Sequence, residues 1–273
     1  MQSDTSAPDP FWQELAVSSP LAGHPLILRD ETGSTNSDAL ELARAGAATG
    51  TIVIARSQTG GRGRLGRSWF SPAGSGLYFS MILRPALAPA ELPRITLAAG
   101  VALCRAVSGL CRPTPLIKWP NDLLLGGRKC GGILTECEFG RDGSPLVVLG
   151  IGINVSTPPA AFPAELRGKV TCLADRCASP IRRLNLLREI IIAVDAVTAR
   201  LEAGEFAAIL AEWRALDATK EKRLTWLTTG GAAVTGISLG PDQEGLLHIR
   251  DDQGRTHAVL SGDILLQWCR VER

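Results

Sequence analysis

The chain has no C-x-x-C pair, and its three histidines (His24, His248, His257) lack metal-ligand spacing. A structural zinc site needs cysteine or histidine pairs that converge on one ion, so none is expected. The seven cysteines (Cys104, Cys111, Cys130, Cys137, Cys172, Cys177, Cys269) are odd in number and scattered. That pattern predicts reduced, mostly buried thiols in the cytoplasm. No apolar run approaches the roughly 20 residues needed to span a bilayer. Residues 1–20 carry Asp, Pro and Ser without a basic segment or apolar core, so no secretory signal is expected. Net charge is small, with 29 Lys and Arg against 27 Asp and Glu, which predicts no bulk attraction to nucleic acid or membrane. No internal repeat is present. An electrostatic function therefore has to be local.

Charge is concentrated in one place. From Gln58 to Trp69, three arginines (Arg62, Arg64, Arg67) alternate with four glycines (Gly60, Gly61, Gly63, Gly66). Glycine lets backbone approach a ligand closely, and the arginine fork matches carboxylate and phosphate. Such a loop is suited to closing over an anion. Gly61 to Ser68 also fits G-x-x-x-x-G-[K/R]-S, a near P-loop with Arg67 in place of lysine. A P-loop runs from strand straight into helix, whereas this loop leads through Trp69, Phe70 and Pro72 towards another strand. A nucleic-acid contact using Trp69 and Phe70 as stacking groups lacks a wider basic patch to support it.

Pattern predicts a mixed fold. Strands are expected at 26–28, 51–55, 76–83, 116–119, 123–125, 133–139 and 146–154, and helices at 37–45, 92–110, 184–203 and 206–216. Ser34, Thr35 and Asn36 read as caps of the first helix, with Asp38 in its first turn. Residues 126–129 read as a hairpin turn, and prolines 158, 159 and 163 predict a loop over 157–163. Five short strands follow at 224–227, 233–239, 246–250, 256–260 and 264–268. The fold class expected is α+β: a mixed-sheet domain over 26–218 with a small β-barrel over 219–273, after a disordered lead-in over 1–10 within residues 1–25.

Three further segments carry polar chemistry. In Lys118-Trp119-Pro120-Asn121-Asp122 the proline holds the preceding residue away from helix, so Lys118 has a defined direction at a strand end. There it either places a point charge on a phosphoryl oxygen or extends its amine into solvent. Asn121 and Asp122 alone would simply make a turn. In Lys129-Cys130-Gly131-Gly132-Ile133-Leu134 the glycines allow close approach of a ligand or form a bulge. In Gly150-Ile151-Gly152-Ile153-Asn154 two glycines share one strand face, which opens a slot for a ligand or for a packed helix.

Taken in order, Ser34-Thr35-Asn36, the arginine–glycine loop, Lys118-Trp119-Pro120-Asn121-Asp122, Lys129-Cys130-Gly131-Gly132-Ile133-Leu134 and Gly150-Ile151-Gly152-Ile153-Asn154 resemble a bacterial biotin–protein ligase (biotin–[acetyl-CoA-carboxylase] ligase). The resemblance runs from about residue 26 to the C-terminus. It implies a biotin/lipoate-ligase-type catalytic domain followed by an SH3-like barrel. It also implies that biotin and MgATP form biotinyl-5′-AMP, which a lysine of a biotin carboxyl carrier domain then attacks. On this resemblance Ser34, Thr35, Asn36 and Gln58 line the biotin site, and Gly61, Arg62, Gly63 and Arg64 cover biotin and the adenylate. Lys118 meets the biotin carboxylate and α-phosphate, with Lys129 as a second cation. Arg67, Trp69 and Asn154, together with Arg64 and Lys118, serve ATP, Trp69 by stacking on adenine. Gly132 and Gly152 clear space for ligand, and Lys118 and Arg64 carry the catalytic roles. The Mg²⁺ ligands are not implied. Gly60 stands where alanine is common, and Cys130 where an aliphatic residue is usual. About twenty-five residues precede the catalytic segment, too few for a helix-turn-helix module, so no DNA binding is expected. Lipoate–protein ligases and octanoyltransferases share the fold and form the enzyme alternative, which Arg62-Gly63-Arg64 and Lys118-Trp119-Pro120 disfavour. A catalytically dead biotin- or nucleic-acid-binding module is the non-enzyme alternative. An edge-strand homodimer and a monomer both fit the pattern.

Overall fold

Every residue of Gly76–Leu83 is buried, which marks this strand (β3) as interior to a sheet with both faces covered. The structure is a computed structural model and describes residues 9–140, 142–177, 179–227, 233–259 and 262–266. In chain order the other strands of this sheet are β1 (Leu26–Thr32), β2 (Ile52–Gln58), β4 (Leu116–Lys118), β5 (Asp122–Leu125), β6 (Arg128–Phe139) and β7 (Pro145–Asn154). They lie in the order β1-β2-β3-β7-β6-β5-β4, with β1 and β2 parallel and every other pair antiparallel.

Alternation along the strands sorts the two faces. Ile52, Ile54, Leu77, Phe79, Met81, Val147 and Leu149 pack into the main core with the helices α3 (Arg94–Ser108), α4 (Arg183–Glu202) and α5 (Phe206–Ala215). Val53, Ile82 and Val148 point the other way and meet Ala39 and Ala43 of α2 (Thr35–Arg44). A helix of ten residues is only about 15 Å long, so α2 covers one end of its face. Beyond it the same face carries Ser80, Gly132, Gly150, Gly152 and Asn154 instead of large apolar side chains. A cavity is the consequence.

The helix expected at 37–45 begins two residues earlier. Ser34 is its N-cap residue but makes no side-chain cap bond, and Thr35 and Asn36 form the first turn with buried side chains. The lead-in expected over 1–10 also needs correcting at its end. Asp9 accepts a hydrogen bond from the Phe11 amide at 3.2 Å, and Pro10 opens a short helix, α1 (Pro10–Ala16), that buries Phe11 and Leu15. Residues 1–8, Leu260, Gln267, Trp268 and Cys269 lie outside the described residues.

The cysteines depart from expectation at one pair. Cys111 and Cys177 are joined in a disulfide, with Cα atoms 4.2 Å apart across 66 residues of sequence. An isolated antiparallel bridge between the two positions brings the chains together, a juxtaposition that spacing along the chain does not reveal. Cys104, Cys130 and Cys172 are buried free thiols, and burial pushes Cys104 up to about 12. Thiol titration of the denatured protein should therefore yield two more thiols after reduction than before. An equal count in both states would argue against the bond.

The chain ends in a second, antiparallel sheet, β8 (Arg223–Leu227), β9 (Ala233–Pro241), β10 (Leu247–Asp251), β11 (Thr256–Val259) and β12 (Asp263–Leu266), in the order β11-β10-β9-β8-β12. It matches the five short strands expected from the sequence. Trp119 Nε1 donates to the Gly245 carbonyl at 3.0 Å and Arg214 Nε to the Pro241 carbonyl at 3.0 Å, tying this sheet to the β4–β5 turn and to α5. Among the described residues no helix is long and apolar enough to cross a membrane.

Candidate functional site

The open part of the sheet face, the arginine loop and the edge of the second sheet enclose a cavity of 610 Å³. That volume lies within the ordinary range for a small-molecule site. One end is lined by uncharged hydrogen-bonding side chains. The Thr35 amide and hydroxyl reach Gln58 Oε1 at 2.9 and 3.2 Å, because the first turn of α2 is aimed at the end of β2. Ser80 Oγ donates to Asn36 Oδ1 at 2.6 Å and lies 2.8 Å from Thr35 Oγ1. Gly150 makes room for this arrangement, since a Cβ there would stand 1.9 Å from Asn36 Oδ1. Ser34 completes this end of the lining.

The other end is cationic. Lys118 leaves the end of β4 half-buried, and the Pro120 turn brings Asp122 of β5 opposite it in register. Lys129 Nζ lies 2.6 Å from Asp122 Oδ1 and 5.2 Å from the centroid of the Trp69 ring. Arg64 lies over the Trp119 ring at 5.9 Å. Arg62, Gly63 and Arg67 line the same cavity from the loop, and Asn154 lines its wall while donating to the Thr171 carbonyl at 3.1 Å. Among the described residues no group of three or more His, Cys, Asp or Glu converges as for a metal ion.

The loop is folded back on itself. Trp69 N donates to the Gly61 carbonyl at 2.8 Å and Gly63 N to the Arg67 carbonyl at 2.7 Å. At its tip Leu65 takes a left-handed conformation (φ 57°, ψ 36°), followed by Gly66 at φ 72°. For a leucine this costs roughly 1 kcal/mol, so contacts elsewhere must hold the loop in place.

Nearly all the residues singled out in the sequence meet in this cavity. Gly61 lies behind the wall, where a Cβ would stand 2.5 Å from the Trp69 carbonyl. Gly132 and Gly152 do clear a space, but the Trp69 indole fills it. A Cβ on Gly152 would lie 2.5 Å from Trp69 Nε1 and one on Gly132 would lie 3.2 Å from the indole carbons. The indole N–H is buried there with no hydrogen-bond partner among the described residues. Ser71, Ser80 and Glu136 escaped the sequence reading. Ser80 had a signal, as the one small polar side chain amid the otherwise apolar and aromatic residues of β3. Glu136 shares a strand face with Gly132 and Leu134, a period-two relation readable once β6 is known to begin at Arg128.

Residues 30–154 match the biotin/lipoate A/B protein ligase family. The chain is 37% identical over 237 residues to a biotin–[acetyl-CoA-carboxylase] ligase of Paracoccus denitrificans, covering 82% of this chain and 93% of the relative. It is 36% identical over 246 residues to the corresponding ligase of Mycobacterium tuberculosis, covering 86% of each. Among solved structures, the biotin protein ligase of Aquifex aeolicus in complex with biotin and ATP superposes with a TM-score of 0.75. It is 27% identical and the match covers 89% of this chain and 98% of that one.

Proposed function

The chain belongs to the biotin/lipoate A/B protein ligase family, and from that premise we infer how its cavity divides the work of a biotin–protein ligase. The enzyme activates biotin with ATP and transfers it to a protein. In the first step a biotin carboxylate oxygen bonds to the α-phosphorus. The bond from that phosphorus to the oxygen bridging to the β-phosphate breaks, and pyrophosphate leaves. In the second step a lysine amine of a biotin carboxyl carrier domain bonds to the acyl carbon, and AMP leaves with the electron pair.

One observation carries the assignment of roles: a single cavity joins an uncharged hydrogen-bonding end to a cationic end. The biotin ring offers a flat urea with two donors and one acceptor, which suits Thr35, Asn36 and Gln58, with Ser34 beside them. Its carboxylate then lies towards Lys118 and Lys129. Lys118 meets the charge that grows on the α-phosphoryl group during attack, where a fixed cation lowers the barrier. Arg62, Gly63 and Arg64 cover the adenylate, and excluding water preserves a mixed anhydride that would otherwise hydrolyse. Arg67, Trp69 and Asn154 serve the nucleotide. Because the indole fills the Gly132–Gly152 slot, adenine stacking uses the ring face turned away from the sheet or requires the indole to shift. Mg²⁺ accompanying ATP would be held chiefly by phosphate oxygens and water, and Asp122, which lines the cavity paired with Lys129, would be the carboxylate to reach it.

Biotin-dependent exchange of pyrophosphate into ATP tests this reading. Exchange with lipoate but not biotin, or with neither, would overturn it. Arg64→Gly should let biotinyl-AMP escape and raise labelling of bystander lysines by about tenfold, a loss of order 1 kcal/mol in retention. Unchanged labelling would remove Arg64 from the cover.

A further inference from the structure

Glu136 lies outside the roles above, yet both ends of the arginine loop lead back to it. Its Oε2 accepts from Arg62 at 2.8 Å and from Asn36 Nδ2 at 2.8 Å. Asn36 Nδ2 also donates to the Leu134 carbonyl at 3.2 Å. Both partners of that amide nitrogen are pure acceptors, so the side-chain amide has one orientation and Oδ1 must face Ser80. Ser80 Oγ also lies 2.8 Å from Thr35 Oγ1, and the Thr35 amide donates to Gln58 Oε1 at 2.9 Å, which carries the chain on to Gln58. Gln58 Nε2 donates to Ser71 Oγ at 2.8 Å, and Ser71 Oγ donates to the Trp69 carbonyl at 3.2 Å. The relay starts on Arg62 and ends on Trp69, the two sides of the loop.

We propose that Glu136 is the positioning residue that ties the arginine loop to the biotin-reading side chains. Its charge holds Arg62, and with it a loop whose tip is in the left-handed region. The same carboxylate orients Asn36, so the donor and acceptor pattern offered to a urea is set by the group that seats the loop. A ligand that bonds to Thr35, Asn36 or Gln58 must enter this relay, which couples occupancy of the uncharged end to the loop that covers the cationic end. The recognition half of this inference rests on the biotin-ligase reading; the latch on Arg62 does not.

Glu136→Gln keeps the shape, removes the charge and adds a donor that competes with Asn36 Nδ2. In the ligand-free protein, trypsin should cleave after Arg64 and Arg67 about tenfold faster than in the unsubstituted protein, with cleavage elsewhere unchanged. Arg62→Met should give the same acceleration, and the double variant no more than either single one. Unchanged cleavage at the loop, or additive effects, would overturn the latch irrespective of substrate. In the ligase assay Glu136→Gln should raise the KM for biotin about tenfold, with single-turnover adenylation at saturating biotin altered by less than about twofold. The KM effect should persist in the Arg62→Met background, because it passes through Asn36. A KM unchanged while the unsubstituted protein shows biotin-dependent exchange would overturn the orienting role. Absence of exchange in the unsubstituted protein would overturn the ligase reading and, with it, the orienting role, leaving the proteolysis result to judge the latch.

Discussion

Lys118→Ala should slow single-turnover adenylation by about 10²- to 10³-fold while weakening biotin binding by less than about tenfold. The asymmetry follows from where charge appears. In the ground state biotin carries one carboxylate, and on the proposed binding mode Lys129, which lines the same cavity, shares it. In transit, negative charge builds on the α-phosphoryl oxygens and the departing pyrophosphate. Lys118 projects from a strand end pinned by the Pro120 turn and by the Asp122 pairing, so its amine does not have to reorganise as that charge develops. Arginine in its place is a poor substitute, because a planar fork cannot reproduce a compact point charge at the same reach. Adenylation unchanged in Lys118→Ala would assign the stabilising charge to the loop instead.

Gly150→Ala should lower biotin affinity by about 10²-fold, since one methyl group displaces the acceptor that the relay aligns. The added carbon would stand 1.9 Å from Asn36 Oδ1 and 2.8 Å from its Cγ, so Asn36 must rotate away from Ser80. Ser80 is then a buried hydroxyl with a lost partner, and overpacking costs roughly 1–3 kcal/mol of stability besides. Titration of biotin by calorimetry reads the first effect and thermal unfolding the second. A variant with native affinity would mean that Asn36 contributes nothing to recognition. Gly152→Ala makes an informative companion. Its methyl group would meet the Trp69 indole, not Asn36, so its effect should fall on ATP before biotin.

Sequence patterns made most of the fold legible where periodicity was strong. Strand β3 appears at its full extent, Gly76–Leu83, because apolar residues fill it and Arg84-Pro85 stops it. The long helix α4 repeats Leu187, Ile191 and Val194 on its buried side, and both spacing and structure agree to within a residue. The start of α2 was harder to place. Ser34, Thr35 and Asn36 all look like caps, and only the pull of Gln58 and Ser80 on Thr35 and Asn36 explains why the helix takes them in. Helix α1 was missed because seven residues carry too little periodicity, and its stability comes from Phe11 and Leu15 in the core and Arg183 on Asp9.

The composition of the loop at 58–69, the Lys118 turn and the paired glycines of β6 and β7 pointed by themselves to an anion site beside a cleared sheet face. Local chemistry suffices for that, since arginine, glycine and a lysine before a proline carry their physical properties wherever they stand. Tertiary structure alone decided what fills the cleared space, namely the Trp69 indole, and what the loop is tied to. Ser80 lies 44 residues from Asn36, and Glu136 lies 74 from Arg62 and 100 from Asn36. A hydrogen bond depends on a few tenths of an ångström and on direction, and only the packing of α2 across β3, β6 and β7 sets those.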